Sequence, residues 1–318
     1  MLNYIIRRSL LLIPTFLLLT FLIFLMVRLT PGSIIEMMAA QAPYENAATA
    51  TPDIIRHKLG LDQPILTQYW NWLSHFLRGD LGKSFWTEKV IIEEVAVRVP
   101  ITFELGVFAF IIAQLIALPI GIVSAVRQDS FLDYVTRGST LLFVAVPVFW
   151  LGIMVVVFPS VWWNWSPPIQ YIPFSRDPAG NLAQFIIPSI ILGISMAAVE
   201  MRMLRTTVLD VLRQDYVRTA WAKGLKERFV ITRHVLRNAF IPVVTIIAGQ
   251  IPVMISGSVI IEQIFNLPGM GRLFVDSILR RDYPIITGMS ALFGLIGMLI
   301  ILLTDLSYAW LDPRIRYK

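Results

Sequence analysis

Residues 202–242 read RMLRTTVLDVLRQDYVRTAWAKGLKERFVITRHVLRNAFIP, a basic stretch set between two apolar runs of membrane-spanning length. Arg202, Arg205, Arg213, Arg218, Lys223, Lys226, Arg228, Arg233 and Arg237 are opposed only by Asp210, Asp215 and Glu227. Short loops rich in Lys and Arg stay on the cytoplasmic side of a membrane, so this stretch fixes the orientation of the chain. Val208, Val211, Leu212, Tyr216 and Ala220 recur at the spacing of one helix face, and Gly224 can take the left-handed conformation that ends a helix. A second amphipathic pattern runs from Lys226 to Asn238 into the next apolar run. The spacing predicts helix, glycine turn, helix on the cytoplasmic surface. Charge alone is equally compatible with a basic stripe lying on anionic head groups.

The composition agrees with a membrane setting. The chain has 318 residues, 56% of them hydrophobic, and a mean hydropathy of +0.70. A soluble domain cannot hide that much apolar surface, so this is an integral membrane protein. The net charge of +6 suits basic loops beside anionic lipid and does not imply nucleic acid. The absence of cysteine excludes disulfides, thiolate metal sites and a Cys nucleophile.

Outward from the basic stretch, the apolar runs are Ser9–Val27, Leu105–Val126, Gly138 to about Trp162, Pro178–Val199, Asn238–Ile261 and Tyr283–Thr304. About 20 apolar residues suffice to span the hydrocarbon core as a helix. Arg7 and Arg8 precede the first run, and Arg314, Arg316 and Lys318 follow the last, which places both termini inside. A cleaved signal peptide is the rival reading of the first run. Ala40-Gln41-Ala42 lies too far beyond that run to be its cleavage site. Trp162, Trp163 and Trp165 form an aromatic belt at the outer interface. Arg272, Arg280 and Arg281 fall outside and count against a perfect charge rule.

Residues 30–100 are polar and punctuated by Pro31, Pro43, Pro52, Pro64 and Pro100. Within them, Asp53–His57 could start a short helix, and Gln68–Leu77 carries an aromatic helical face of Tyr69, Trp70, Trp72 and Phe76. This segment falls outside the cytoplasm. Pro268-Gly269 marks a turn after the fifth run.

Several strings carry a family resemblance. Asp215-Tyr216-Val217-Arg218-Thr219-Ala220-x-Ala222-x-Gly224 resembles the cytoplasmic coupling loop of ABC-importer permeases, in the version of the peptide/nickel branch, with Trp221 as the mismatch. Arg233-His234, Leu236-Arg237-Asn238-Ala239 and Ile241-Pro242 are similar to that branch too. So are the strings at 59–64, 78–85 and 262–273, and Leu311-Asp312-Pro313-Arg314. The resemblance covers nearly the whole chain. It implies an all-α integral membrane protein with six transmembrane helices and the type I importer-permease (MetI-like) fold. The expected organisation is a first helix over 1–29, an extracytoplasmic segment over 30–100, a permease core over 101–312 with the coupling loop at 202–237, and a cytoplasmic tail over 313–318.

The resemblance further implies a transport subunit of the cell membrane that is not an enzyme. It would carry di- or oligopeptides delivered by an extracytoplasmic binding protein. Two ABC ATPase subunits, which hold ATP and Mg, would dock on Asp215, Tyr216, Arg218, Thr219, Ala220, Ala222 and Gly224. A second homologous permease subunit is expected beside it, and no cofactor in the chain itself. Nickel chelates, glutathione and oligosaccharides remain alternative cargoes. An ion-coupled secondary transporter is the alternative of another class; it calls for ionisable residues near the midplane, and the apolar runs hold almost none.

The residues offer little catalytic chemistry. His57, His75 and His234 are the only histidines, and no metal-ligand spacing joins them. Gly82-Lys83-Ser84 mimics the end of a P-loop, but Leu77 stands where its first glycine is needed. Gly269-x-Gly271 lacks the third glycine of a dinucleotide fingerprint, because Phe274 is there. Glu104, Glu200 and Asp305 sit at edges of apolar runs and are expected to snorkel or to cap helices. Glycines in the runs, Gly193 among them, are expected to serve helix packing.

Overall fold

The computed structural model describes residues 2–29, 62–168 and 170–311. The short helix expected near Asp53, the tail after Leu311 and most of the first extracytoplasmic stretch lie outside the described residues. The elements are α1 (Leu2–Leu29), α2 (Ile65–Leu77), α3 (Ile91–Val126), α4 (Phe131–Ala145), α5 (Val148–Trp163), α6 (Pro178–Leu212) and α7 (Asp215–Ala222). A helical turn (Glu227–Phe229) and a π-helical stretch (Val230–Leu236) lead into α8 (Arg237–Ile264), followed by α9 (Met270–Leu279) and α10 (Tyr283–Leu311). No strand is present among the described residues; Lys83 and Val90 form one isolated antiparallel bridge.

Four helices are each long and apolar enough to cross a membrane, and two bent pairs raise the number to six if each pair is one span. The third apolar run is one such pair. α4 and α5 meet at 91° around Val146 and Pro147. Proline has no N–H and pushes the residue before it out of the helical region; Val146 accordingly sits at φ −82°, ψ 120°. The run expected as a single helix from Gly138 is therefore broken.

Side-chain ties place the chain before and after the broken pair at opposite ends of α3. Asp133, at the start of α4, bonds Ser124 near the end of α3. After α5, the Tyr171 hydroxyl donates to Glu104 of α3 at 3.2 Å, and Gln184 near the start of α6 bonds Gln170 and Ile172. At 1.5 Å per residue, Glu104 and Ser124 stand about 30 Å apart along α3, the thickness of the hydrocarbon core. The chain passes from one level to the other through α4 and α5.

The helix ends differ from the apolar runs. α3 begins at Ile91 and continues through Pro100 and Pro119; its 36 residues reach about 54 Å, well beyond the hydrocarbon core. α6 starts with Asp177 capping the Gly180 N–H at 3.0 Å and Pro178 in the first turn. It runs on to Leu212, past every charge that closes its apolar run.

The described chain divides into two compact units. The larger comprises Arg98–Leu273 and the chain from Leu299. One of its cores joins Leu105, Ala109, Ala113 and Ala117 of α3 to Phe185, Leu192 and Met196 of α6. Small residues let these helices approach closely: a Cβ on Gly193 would lie 2.7 Å from the Ala109 carbonyl. Glu200, expected at the interface, is instead 2% exposed and accepts a hydrogen bond from Gln114 Nε2 at 2.7 Å.

The smaller unit comprises Leu2–Val97 and Phe274–Met298. Tyr69, Leu73 and Phe76 of α2 are buried, and Tyr69 and Leu73 pack with Phe16, Leu17, Phe21 and Phe24 of α1. The Tyr69 hydroxyl lies 3.0 Å from Thr20 Oγ1 and donates to the Leu17 carbonyl. Trp70 departs from the expected aromatic face and points outward, 57% exposed. Ser84, the last residue of the P-loop mimic, gives its hydroxyl to Asp282 at 2.5 Å, and Trp86 Nε1 bonds the Arg280 carbonyl.

Candidate functional site

The basic stretch folds as a stalk, a short helix and a return. The last turns of α6 bury Leu204 and Val208. The helix stops at Arg213, Gln214 is extended, and α7 restarts at Asp215 with an acidic first turn that suits the helix dipole. α7 buries Val217 and Ala220 against Leu204, Val208, Val230, Val235 and Ala239. Gly224 then takes φ +75°, and its N–H bonds the Trp221 carbonyl at 2.9 Å. The predicted glycine turn is present, and the single helix expected before it is two.

That restart decides which side chains face outward. Val217 and Ala220 point inward, while Asp215, Arg218, Thr219, Trp221, Ala222, Lys223 and Gly224 are exposed. Tyr216 was expected on the buried face. It is 43% exposed, and its oxygen accepts a hydrogen bond from Asn238 Nδ2 at 3.0 Å, which ties α7 to the start of α8. Thr219 bonds the Asp215 carbonyl at 2.9 Å and Arg218 lies 3.4 Å from the Asp215 carboxylate. The outward surface therefore presents aromatic rings (Tyr216, Trp221 and Phe229) among basic side chains, on a backbone that leaves open space around Gly224. Arg233 stacks over the Phe229 ring at 5.7 Å.

The return is wound as a π-helix over Val230–Leu236, with Val230 and Val235 fully buried. Such widened turns are less stable than α-helix and cluster at functional places. His234 lies in it, makes an edge contact with Phe229, and gives its carbonyl to Asn238. It is a packing residue.

A carboxylate missed in the sequence holds the stalk. Asp133 has no exposed side-chain surface and takes both Nε and Nη2 of Arg205, at 2.7 and 2.8 Å. It also accepts from Ser124 Oγ at 2.6 Å and from the Asp129 N–H at 3.0 Å. A bidentate arginine pair is among the stronger polar contacts a protein makes. The available signal was Ser130-x-x-Asp133, a capping-box spacing at the start of α4. Ser130 does cap the Asp133 N–H, but the carboxylate turns to Arg205 instead of back to Ser130.

A second buried carboxylate shapes the far end of α8. Glu262 is fully buried, accepts from Thr102 Oγ1 at 2.7 Å and from the Arg272 N–H at 3.1 Å, and so fixes the start of α9. A side chain at Gly269 would collide with it, and one at Gly271 would collide with Val259 of α8. This is the turn and short helix expected after the fifth run.

Comparisons with known proteins agree along the whole chain. A family model described as "Binding-protein-dependent transport system inner membrane component" matches residues 117–317. A model for the N-terminal part of such membrane components matches residues 1–106. A glutathione transport system permease protein of Pectobacterium atrosepticum is 41% identical over 318 residues, all of both chains. A protein of Brucella abortus, provisionally named a peptide transport system permease protein, is 39% identical over 305 residues, 96% of each chain. Among solved structures, the crystal structure of an amino acid ABC transporter with histidines matches at a TM-score of 0.54 and 13% identity, over 68% of this chain and 94% of that one, which supports the fold. On these matches, the chain belongs to the family of binding-protein-dependent transport system inner membrane components, membrane permeases of ABC transporters.

Proposed function

We propose that this permease imports short peptides released by an extracytoplasmic binding protein, and that Asp215–Gly224 is where separate ATPase subunits grip it. Membership in the family carries the coarser statement: the chain is a transport component and not an enzyme. The relatives named for glutathione and for peptides support a small peptide as cargo. The observation behind the docking site is the two-sided character of α7. Val217 and Ala220 lock it to the core, and its other face offers Trp221, Arg218 and Lys223 to solvent. A helix so braced can pass a push from a partner into α6 and α8.

In this reading ATP and Mg reside in the partner subunits. Two ATPase subunits close on ATP, press α7 of this chain and of a second homologous permease, and rock the helices between inward- and outward-facing states. The basic stretch and both termini lie in the cytoplasm. Detergent extraction of the tagged chain from its native membrane tests the assembly. Two P-loop ATPases and a second permease should co-purify. A lone homo-oligomer that transports in ATP-free vesicles under an ion gradient would overturn the reading.

A further inference from the structure

Between α4 and α6 lies a cavity of about 180 Å³ lined by Thr136, Arg137, Thr140, Leu141, Met201, Arg202, Arg205 and Thr206. This is several times the ~30 Å³ that one water occupies in the liquid. Three guanidinium groups converge on it, and two carboxylates, Asp133 and Asp129, stand against them. Arg205 is committed to Asp133. Arg137 lies over the Tyr134 ring at 4.5 Å and leans on Asp133 at 3.7 Å and on the exposed Asp129 at 4.0 Å, but its Nε is buried with no hydrogen-bond partner. Arg202 is exposed, and its side chain has no bonded partner among the described residues. The cavity is therefore cationic, with unspent N–H donors.

The other lining groups narrow the ligand. The hydroxyls of Thr136, Thr140 and Thr206 all donate to carbonyls of their own helices, at 2.8, 2.7 and 3.0 Å. Each oxygen is left as an acceptor. Met201 is buried and Leu141 is 65% exposed, and Leu142 and Val144 continue the exposed apolar surface along α4. The site thus offers donors for a phosphate, acceptors for hydroxyl groups and an apolar track for an acyl chain.

We propose that this cavity binds an anionic phospholipid with a hydroxyl-bearing head group, such as phosphatidylglycerol. The phosphate sits on Arg137 and Arg202, and the head-group hydroxyls donate to the threonine oxygens. One acyl chain follows Leu141 into the membrane. The same phosphate chemistry occurs in soluble glycerol phosphates; the apolar track selects the lipid. Assignment to the inner leaflet rests on the orientation proposed above, whereas the cavity does not.

The test is native mass spectrometry of the delipidated full chain released from detergent micelles. Phosphatidylglycerol and phosphatidylethanolamine with the same acyl chains are offered at equal concentration. The wild type should retain phosphatidylglycerol preferentially. The Arg137→Gln/Arg202→Gln variant should lose at least about tenfold of that retention, since each basic group near a bilayer surface contributes measurably to anionic lipid binding. Arg213→Gln, outside the cavity, should retain the lipid fully. If the double variant does not fold, Arg202→Gln alone carries the test, because that side chain holds no structural bond. Equal retention of the two lipids would overturn the proposal. So would a loss in Arg213→Gln equal to that in the cavity variant, or displacement of the lipid by glycerol 3-phosphate at matching concentration. Binding is read on the isolated chain, so it succeeds or fails independently of transport.

Discussion

Gly224 is the residue on which the proposed coupling turn depends. Its φ of +75° lies where L-residues are strained, and no atom crowds the position. A substitution there acts through the backbone alone. Gly224→Val should cost about 1–2 kcal/mol in the docked conformation, which weakens docking roughly tenfold. The expected result is normal membrane insertion, continued ATP hydrolysis by the partners, and uptake of labelled peptide falling in proportion. Normal uptake by this variant would remove Gly224 from the coupling turn. Asp133 acts differently, through charge. It is enclosed with Arg205, and removing one partner of a buried pair typically costs about 3–5 kcal/mol because the other charge stays behind. Asp133→Asn should therefore lower the detergent-solubilised unfolding midpoint sharply, read by tryptophan fluorescence. A midpoint equal to the wild type would show that the pair contributes little to stability.

Among the elements, the crossing of α3 and α6 sets the framework that carries the stalk. The close contact is Gly193 against the Ala109 carbonyl and Ile112. Overpacking a tight interface costs about 1–3 kcal/mol, so Gly193→Val should reduce the monodisperse peak in detergent size-exclusion chromatography. Gly297→Val, at a position with open space, should leave that peak unchanged; an equal loss in both variants would count against a packing role specific to Gly193. The contrast also shows what the sequence could convey. Both residues read alike in an apolar run, and only the neighbouring helix distinguishes them. The six apolar runs were legible because an uncharged run has little alternative to spanning. Their ends were not. α6 continues past Glu200 and Arg205 because Gln114 and Asp133, 86 and 72 residues away, receive those charges. α3 continues through Pro100 because its lost hydrogen bond is tolerated. Gly224 was legible from local conformation, whereas nothing local singled out Asp133, whose partner Arg205 lies 72 residues away.

For the whole molecule, the decisive quantity is the number of crossings between Ser124 and the basic stretch. If α4 and α5 formed a re-entrant loop, Trp163 would return to the side of Ser124, and α6 would carry residues 202–242 to the opposite face. The positive charge of that stretch would then lie outside, against the charge rule. The ties of Asp133 to Ser124 and of Tyr171 to Glu104 at opposite ends of α3 argue for crossing. The chain has no cysteine, so single introduced thiols report the answer without background. Lys223→Cys and Ser175→Cys are both exposed positions, in the α7 turn and in the loop after α5. With six crossings and a cytoplasmic N-terminus, a membrane-impermeant maleimide should label Ser175→Cys in intact cells, and Lys223→Cys only after the membrane is opened. The reverse pattern would put the basic stretch outside, as a re-entrant α4–α5 pair does when the N-terminus is inside, and would remove the ATPase-docking role of Asp215–Gly224. Labelling of both in intact cells, or of neither, would place the two loops on one face and show that α6 does not cross.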